Sequence, residues 1–459
     1  MTQVVILGAG IAGLLATAAA AASGCVDQVV LVDSDILPAD PVPRRNIPQA
    51  AHVHGLLASG CRAVDQLVPD FLDTVVDLGG VAGDFARDVA LGTPFGWAQR
   101  FPSDLRVVGA SRDLIEWAIR VHVSAMPGVQ LLCGHTCTGL LAEPSSTAVI
   151  GAQLSSVDWT TIAVPADLVI DATGRGSRAD RWLTDLNLAP PPTVTVDSHA
   201  GYASRVYTLS ADYRPDWLCC YLPLVAPHHP RGGLVCRIEG DRYRVSLFGV
   251  GSDRPTRHEE NFLSFARSLH DPTIAEIIDS AEPVTPVRVT TATSNRRRYP
   301  ERTARYPANF VHVGDALCCL NPIYGQGMSV AANAAVVLGR QLAATSLDRG
   351  FAARFHRAVT PVTQWAWTLA TSADVRWPGA TSPNPVQRIM GRHLDRVMAA
   401  ATRSPRVQQS FLDVMHLLRS PISLAAPPTL LRTFTAARGH ADRTLEHDHA
   451  MHANSQETT

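Results

Sequence analysis

The chain has 459 residues, 46% of them apolar, and a formal net charge of −1. That is enough apolar sequence to bury a large core across two or more subdomains, and the balanced charge with no basic tail excludes a nucleic-acid surface. All 40 basic residues are arginine, which excludes Schiff-base chemistry, a P-loop and any lysine acid or base.

Residues 4–7, VVIL, form a mostly β-branched run followed by Gly8, Gly10 and Gly13 in the pattern G-x-G-x-x-G. No cationic stretch precedes the run and glycines divide it, so it predicts a strand, a tight turn and a helix rather than a membrane span or signal peptide. One glycine serves the turn, one lets backbone approach a pyrophosphate, and one packs the helix on the strand. The helix begins near Ile11 and aims its free N–H groups at phosphate. QVVLVD then predicts a second strand ending at Asp33, where a carboxylate can accept both hydroxyls of an adenosine ribose; Asp35 lies past the strand end. At this point FAD and NAD are both open. Pro41, Pro43 and Pro48 break the βαβ pattern, and the next helix is expected only near His54.

Further along, Ser111 reads as an N-cap with Arg112 in the first helical turn. Cys133 and Cys137 read as unpaired thiols, and the nine scattered cysteines together suit a reduced cytoplasm. ADLVIDATGRGSR predicts a strand ending at Asp171 and a glycine turn at 173–176. GYASRVYTLS, WLCCYLPLV, GGLVCRIEG and RYRVSLFGVG read as four strands of an antiparallel sheet, with a surface helix after them in HEENFLSFARSL. Arg296, Arg297 and Arg298 read as a solvated run. NFVHVGD predicts another strand, and GDALCCLNPIYGQGMS sets Asp315, Pro322 and three glycines ahead of an alanine-rich helix. The signal is helical from about Phe351, and the tail 441–459 reads as disordered. There is no Ser-His-Asp set, no H-E-x-x-H and no metal cluster in the sequence. His52 and His54 share a strand face, but a structural or cofactor-adjacent role outweighs metal binding.

Taken together, GAGIAG, RRNIPQAAHVH, DATGRGSR, NRRRYPER, GD with NPIYGQGMS, and RWP with SP resemble the flavoprotein monooxygenase family of p-hydroxybenzoate hydroxylase fold. The likeness runs through nearly the whole chain and looks nearest to the bacterial polyene epoxidase-like branch. It implies an α/β architecture, α+β overall: a Rossmann-like FAD-binding domain in 1–75, 99–181 and 287–344, an antiparallel-sheet substrate domain in 76–98 and 182–286, and C-terminal helices in 345–440. It implies FAD, with Gly8, Gly10, Ile11, Ala12 and Gly13 at the pyrophosphate and Asp33 and Ser34 at the adenosine ribose. Arg44 or Arg45, with Gln49, would lie along the flavin, and Arg112 would reach the pyrophosphate or ribityl chain. Asp315 would take a ribityl hydroxyl, and Pro322, Gly325, Gly327, Met328 and Ser329 would meet the ring. Asn46 stands where this branch has glycine, and asparagine tolerates a left-handed backbone better than most residues.

The function implied is a monooxygenase of bacterial secondary metabolism that epoxidises or hydroxylates a large apolar, polyene- or polyketide-like substrate through a peroxyflavin. Electrons would come from NAD(P)H or a separate flavin reductase, and no protein base is required. Tyr202, Tyr207, Trp217 and Tyr221 are expected at the substrate pocket. Some members of this scaffold instead form decalin rings by 4+2 cycloaddition with the flavin acting structurally, and no residue separates the two readings. Flavin halogenases share the fold and a tryptophan pair like Trp365 and Trp367, but they need a lysine, so halogenation is disfavoured.

Overall fold

Five short apolar runs pair in parallel to form the central sheet, in the order Phe310–His312, Leu168–Asp171, Gln3–Leu7, Gln28–Asp33, Val129–Cys133. The computed structural model describes residues 1–433 except 145–146, 211–212, 214 and 381–384, so the expected disordered tail lies outside the described residues. Strand residues alternate between two cores, as a sheet covered on both faces requires. Val4, Ile6, Leu168 and Ile170 pack with the helices Ile11–Ala21, Arg112–Ser124 and Gly327–Ala344. Val5, Leu7 and Val169 face a three-stranded antiparallel sheet of His135–Ala142, Val149–Ser156 and Thr161–Pro165. The first and third of those helices are rich in alanine, which lets them lie close: a Cβ at Gly339 would stand 3.4 Å from Ala19. Buried apolar area of this kind is the main stabilising term, at roughly 25 cal/mol per Å².

The second large sheet is antiparallel over most of its width. Ala200–Thr208 pairs with Arg242–Val250, which pairs with Arg231–Ile238, then Cys219–Leu222. Val89–Thr93 joins that edge in parallel, so the sheet extends beyond the expected strands. Its outer face buries Ala203, Val235, Val245 and Leu247 under the helices Glu260–Arg267 and Thr273–Asp279. Phe262 and Ala266 are the buried face of the first of these helices, as expected of an amphipathic surface helix.

Two local readings are corrected. The helix expected near His54 starts at Ala58. Residues 52–57 stay outside it because their polar groups are already used: the Val53 N–H donates to Ser246 Oγ, the Leu57 N–H donates to Ser329 Oγ, and Arg244 Nη1 donates to the His52 carbonyl. The arginine run is not solvated. Arg297 and Arg298 are each 2% exposed; Arg298 pairs with Asp180 at 2.9 Å and donates to Ala316 O, while Arg297 donates to Gln364 and lies over the Tyr299 ring. Buried guanidiniums persist only when paired in this way.

Candidate functional site

The chain passes from Gln3–Leu7 to strands on either side of it, so the crevice at the C-terminal ends of Gln3–Leu7 and Leu168–Asp171 is a topological switch point. Gly8 sits there at φ +97°, and a Cβ on it would lie 2.8 Å from the Ala172 carbonyl. A Cβ on Gly13 would lie 1.8 Å from the Gly8 carbonyl, so only glycine lets the helix close on the turn. Gly10 differs: a side chain there would meet nothing within 4 Å and would project into open space. Gly10 also caps the helix without a side-chain hydrogen bond, leaving its first N–H groups and positive pole free. On the neighbouring strand end, the Asp171 carboxylate accepts from Thr173 N, Thr173 Oγ1 and Ser177 Oγ, which explains the D-A-T-G-R-G-S spacing as a side-chain-built turn.

These groups open onto one cavity of about 1510 Å³. Of the sequence-predicted residues, Gly8, Gly10, Ile11, Ala12, Asp33, Ser34, Arg44, Gln49, Arg112, Asp315, Pro322, Gly325, Gly327, Met328 and Tyr202 line it; Gly13, Arg45 and Ser329 do not. Between the two adjacent arginines the structure chooses Arg44. It pairs with Asp33 at 2.7 Å and Glu116 at 2.7 Å and donates to the Ala9 carbonyl, whereas Arg45 is exposed and has no ion pair among the described residues. Burial opposes the Arg44 charge, but Asp33 and Glu116 outweigh it and raise its pKa. Asp33 is more constrained than a free ribose acceptor, because its carboxylate also takes the Ala9 and Asp35 N–H groups at 2.7 and 2.8 Å. Arg112 pairs with the other Glu116 oxygen at 3.0 Å. Both arginines line the cavity, while their Nε atoms are buried away from it and have no partner among the described residues. Asn46 is not left-handed, and its amide donates to Asp35 at 2.6 Å.

A second backbone cradle faces the same cavity. Gly325, at φ +65°, would carry a Cβ into open space. The helix Gly327–Ala344 starts at Gln326 with no side-chain cap, so a second positive helix pole is free. Burial pushes the Asp315 carboxyl above its ordinary pKa, against the Arg175 guanidinium, a hydrogen bond from Cys319 and the Arg112 guanidinium. Ser329 is turned inward: its Oγ accepts the Leu57 N–H at 2.9 Å, and a Cβ on Gly60 would strike it.

The roof is polar where the sequence suggested aromatics. Tyr202 and Ser204 share the inner face of Ala200–Thr208, while strand alternation turns Tyr207 outward against Phe262. Trp217 packs on that same outer cluster, and Tyr221 lies against Phe248 without lining the cavity. His52 Nδ1 meets Ser204 Oγ at 2.8 Å, Ser204 meets Ser246 at 2.5 Å, and the His52 ring stands edge-on to Tyr202 at 4.4 Å. Burial and the Arg244 charge lower the His52 pKa to about 4. Burial and Arg112 lower His54 to about 3, so both imidazoles are neutral at pH 7. Sequence reasoning missed Arg175, which lines the cavity from the glycine turn 173–176, and Ser204, Ser246 and Arg244, which back His52 and whose only signal was strand alternation, which needs a known register. Among the described residues no three His, Cys, Asp or Glu side chains are grouped to hold a metal, and no helix is long and apolar enough to cross a membrane.

The architecture is the flavin monooxygenase fold. It is shared with the flavin-dependent brominase Bmp2, at TM-score 0.67 and 14% identity, covering 96% of this chain and 100% of that one. PqsL of Pseudomonas aeruginosa, described as a probable FAD-dependent monooxygenase, matches at TM-score 0.58 and 18% identity over 82% of this chain and 97% of its own. The Diels-Alderase PyrE3 of pyrroindomycin biosynthesis matches at TM-score 0.61 and 16% identity over 91% of this chain and 80% of its own. At the level of sequence, Protein Rv3254 of Mycobacterium tuberculosis is 29% identical over 450 residues, covering 93% of this chain and 92% of that protein. No protein-family model matches the chain.

Proposed function

We propose that this protein is an FAD-dependent monooxygenase that hydroxylates or epoxidises an apolar small molecule of polyene or polyketide type. The observation that carries the reading is one continuous cavity that holds both backbone cradles and both uncapped helix N-termini. At about 1510 Å³ it exceeds the roughly 300–1,000 Å³ of ordinary ligand pockets, leaving room for a dinucleotide and a second molecule. FAD fits the residues present. Its pyrophosphate suits the Gly10 cradle, the free N–H groups of Ile11 and Ala12 and the positive charge of Arg44 and Arg112 on the cavity wall. Asp33 and Ser34 suit the adenosine ribose, Gln49 and Asp315 the ribityl chain, and Pro322, Gly325, Gly327 and Met328 the ring edge.

When bound and reduced, such a cofactor activates molecular oxygen for transfer to an alkene or an aromatic ring. The chain's own task is to bind, exclude water and hold protons in place. The helix pole at Gly327 favours negative charge on the ring portion seated there. Neutral His52, with its Nδ1 engaged by Ser204, presents its other ring nitrogen as a hydrogen-bonding group beside Tyr202. Val287, Val289 and Leu320 supply apolar wall to the same cavity. In this reading 1–75, 99–181 and 287–344 carry the cofactor and 76–98 with 182–286 the substrate, with NAD(P)H or a flavin reductase supplying electrons.

The test is an assay of purified protein with candidate polyenes, following oxygen, reductant and product together. Coupled consumption of oxygen and reductant is expected. Product formed without oxygen or reductant would overturn the monooxygenase and favour a non-redox cycloaddition, and protein that releases no flavin on denaturation would overturn both.

A further inference from the structure

We infer that Asp374, which lies outside the cavity, is the positioning residue that fixes the loop 321–325 against the cofactor; this rests on that loop being a flavin seat. Asp374 ends the helix Phe351–Asp374 and is 1% exposed. Its carboxylate accepts from Tyr324 Oη at 2.6 Å, from Asn295 Nδ2 at 2.6 Å and from Asn321 Nδ2 at 3.1 and 3.2 Å. Asn295 completes the ring of contacts, its Oδ1 accepting the Asn321 N–H at 2.8 Å, and Asn321 Oδ1 accepts the Ile323 N–H at 3.2 Å. One carboxylate therefore grips both the start and the end of the turn.

The turn has little order of its own. Pro322–Tyr324 is a single 3₁₀ turn with Gly325 left-handed after it, held internally by Gly325 N–H to Pro322 O at 3.0 Å and Tyr324 N–H to Asn321 O at 3.3 Å. Where Pro322 and Gly325 meet the cavity is consequently set by the external grip. Tyr324, Asn295 and Asn321 all donate to Asp374, and Ser198 hydrogen-bonds it as well, so a carboxylate suits them and an amide cannot: its NH₂ would oppose at least one donor. The residues that follow extend the grip. Arg376 donates to the Ala226 carbonyl and pairs with Asp395 at 2.7 Å, and Trp377 packs with Ala200, Ala226, Val250 and Ile323. The R-W-P stretch, which the proposed chemistry leaves unused, thus ties the C-terminal helices and the antiparallel sheet to the loop.

The experiment compares the full-length protein with Asp374→Asn, Tyr324→Phe and, as a control, Glu143→Gln, which breaks an exposed pair with Arg349. Amide hydrogen exchange over 320–328 is measured in flavin-free protein, then FAD affinity and the visible flavin bands. Loss of hydrogen bonds to a buried charge gives an expected change of about tenfold or more. Asp374→Asn should exchange faster by that factor over 320–328 while the parallel sheet is unchanged, bind FAD correspondingly more weakly and shift the flavin bands. Tyr324→Phe, losing one donor, should move the same readouts less, and Glu143→Gln should move none. Exchange and affinity within about twofold of wild type in both variants would overturn the inference. If Asp374→Asn does not fold, Tyr324→Phe decides by the same threshold. Wild-type protein that never binds FAD overturns the functional reading instead, and the exchange data still report on the grip.

Discussion

The two halves of the cavity are built on different principles. The half under the parallel sheet is made of backbone: Gly8 and Gly13, which admit no side chain, Gly10 and Gly325, where a side chain would enter the cavity, two uncapped helix ends, and charges already paired among Asp33, Arg44, Glu116 and Arg112. The half under the antiparallel sheet is made of side chains: His52 and Tyr202 line it, with Ser204 and Ser246 holding His52 from behind, and their identities matter only through the register that brings them together. A backbone site loses either its fold, at Gly8 and Gly13, or its ligand space, at Gly10 and Gly325, when a glycine is replaced, and it serves any ligand of the right charge and shape. A side-chain site can be re-lined without unfolding the chain, so it is the half in which specificity can vary.

Several substitutions would break or sharpen this contrast. The largest effect is expected from Gly13→Val, which places a side chain 1.8 Å from the Gly8 carbonyl and should leave no folded, flavin-binding protein in a circular-dichroism melt. Next is Arg44→Met, which leaves the buried Asp33 carboxylate without its guanidinium and Glu116 with Arg112 alone, and should cost about 3–5 kcal/mol by urea unfolding. Acid should expose the other half. An unfolded histidine protonates near pH 6.5, but folded His52 does so only near about 4, so between these values the unfolded chain binds more protons and stability falls as pH falls. By pH 4 that loss reaches roughly 3 kcal/mol, and His52→Gln should flatten this limb of urea midpoints measured across pH 7 to 4. Asp315→Ala should weaken FAD retention about tenfold, read as flavin released on gel filtration; unchanged occupancy would mean its carboxylate does not hold the ribityl chain. Arg45→Ala should change stability by no more than about 0.5 kcal/mol, and a loss equal to that of Arg44→Met would erase the distinction between the neighbours.

How much of this was legible in the sequence follows from the same contrast. Gly8, Gly10, Gly13, Asp33, Asp315 and Gly325 could be read because each sits at a fixed offset from a strand end or helix start, and local spacing carries that information. Ser111 could be read as an N-cap for the same reason, and its Oγ accepts the Leu114 N–H at 3.1 Å. Tyr207 and Trp217 could not be assigned a face, because period-two alternation leaves the choice of inner face to whatever packs outside, here the helices Glu260–Arg267 and Thr273–Asp279. The arginine run misled because exposure is the usual state of guanidiniums; only distant partners, Asp180 and Gln364, make burial of Arg297 and Arg298 affordable.

By itself, then, the sequence determined the glycine turns, the strand and helix order around them and the two cradles, since these depend on sterics between near neighbours in the chain. Tertiary structure alone decided which arginine enters the cavity, which face of the antiparallel sheet roofs it, and that a carboxylate fifty residues away along the chain holds the loop 321–325 through Tyr324. Those outcomes depend on contacts between segments far apart in sequence, and no local pattern specifies them.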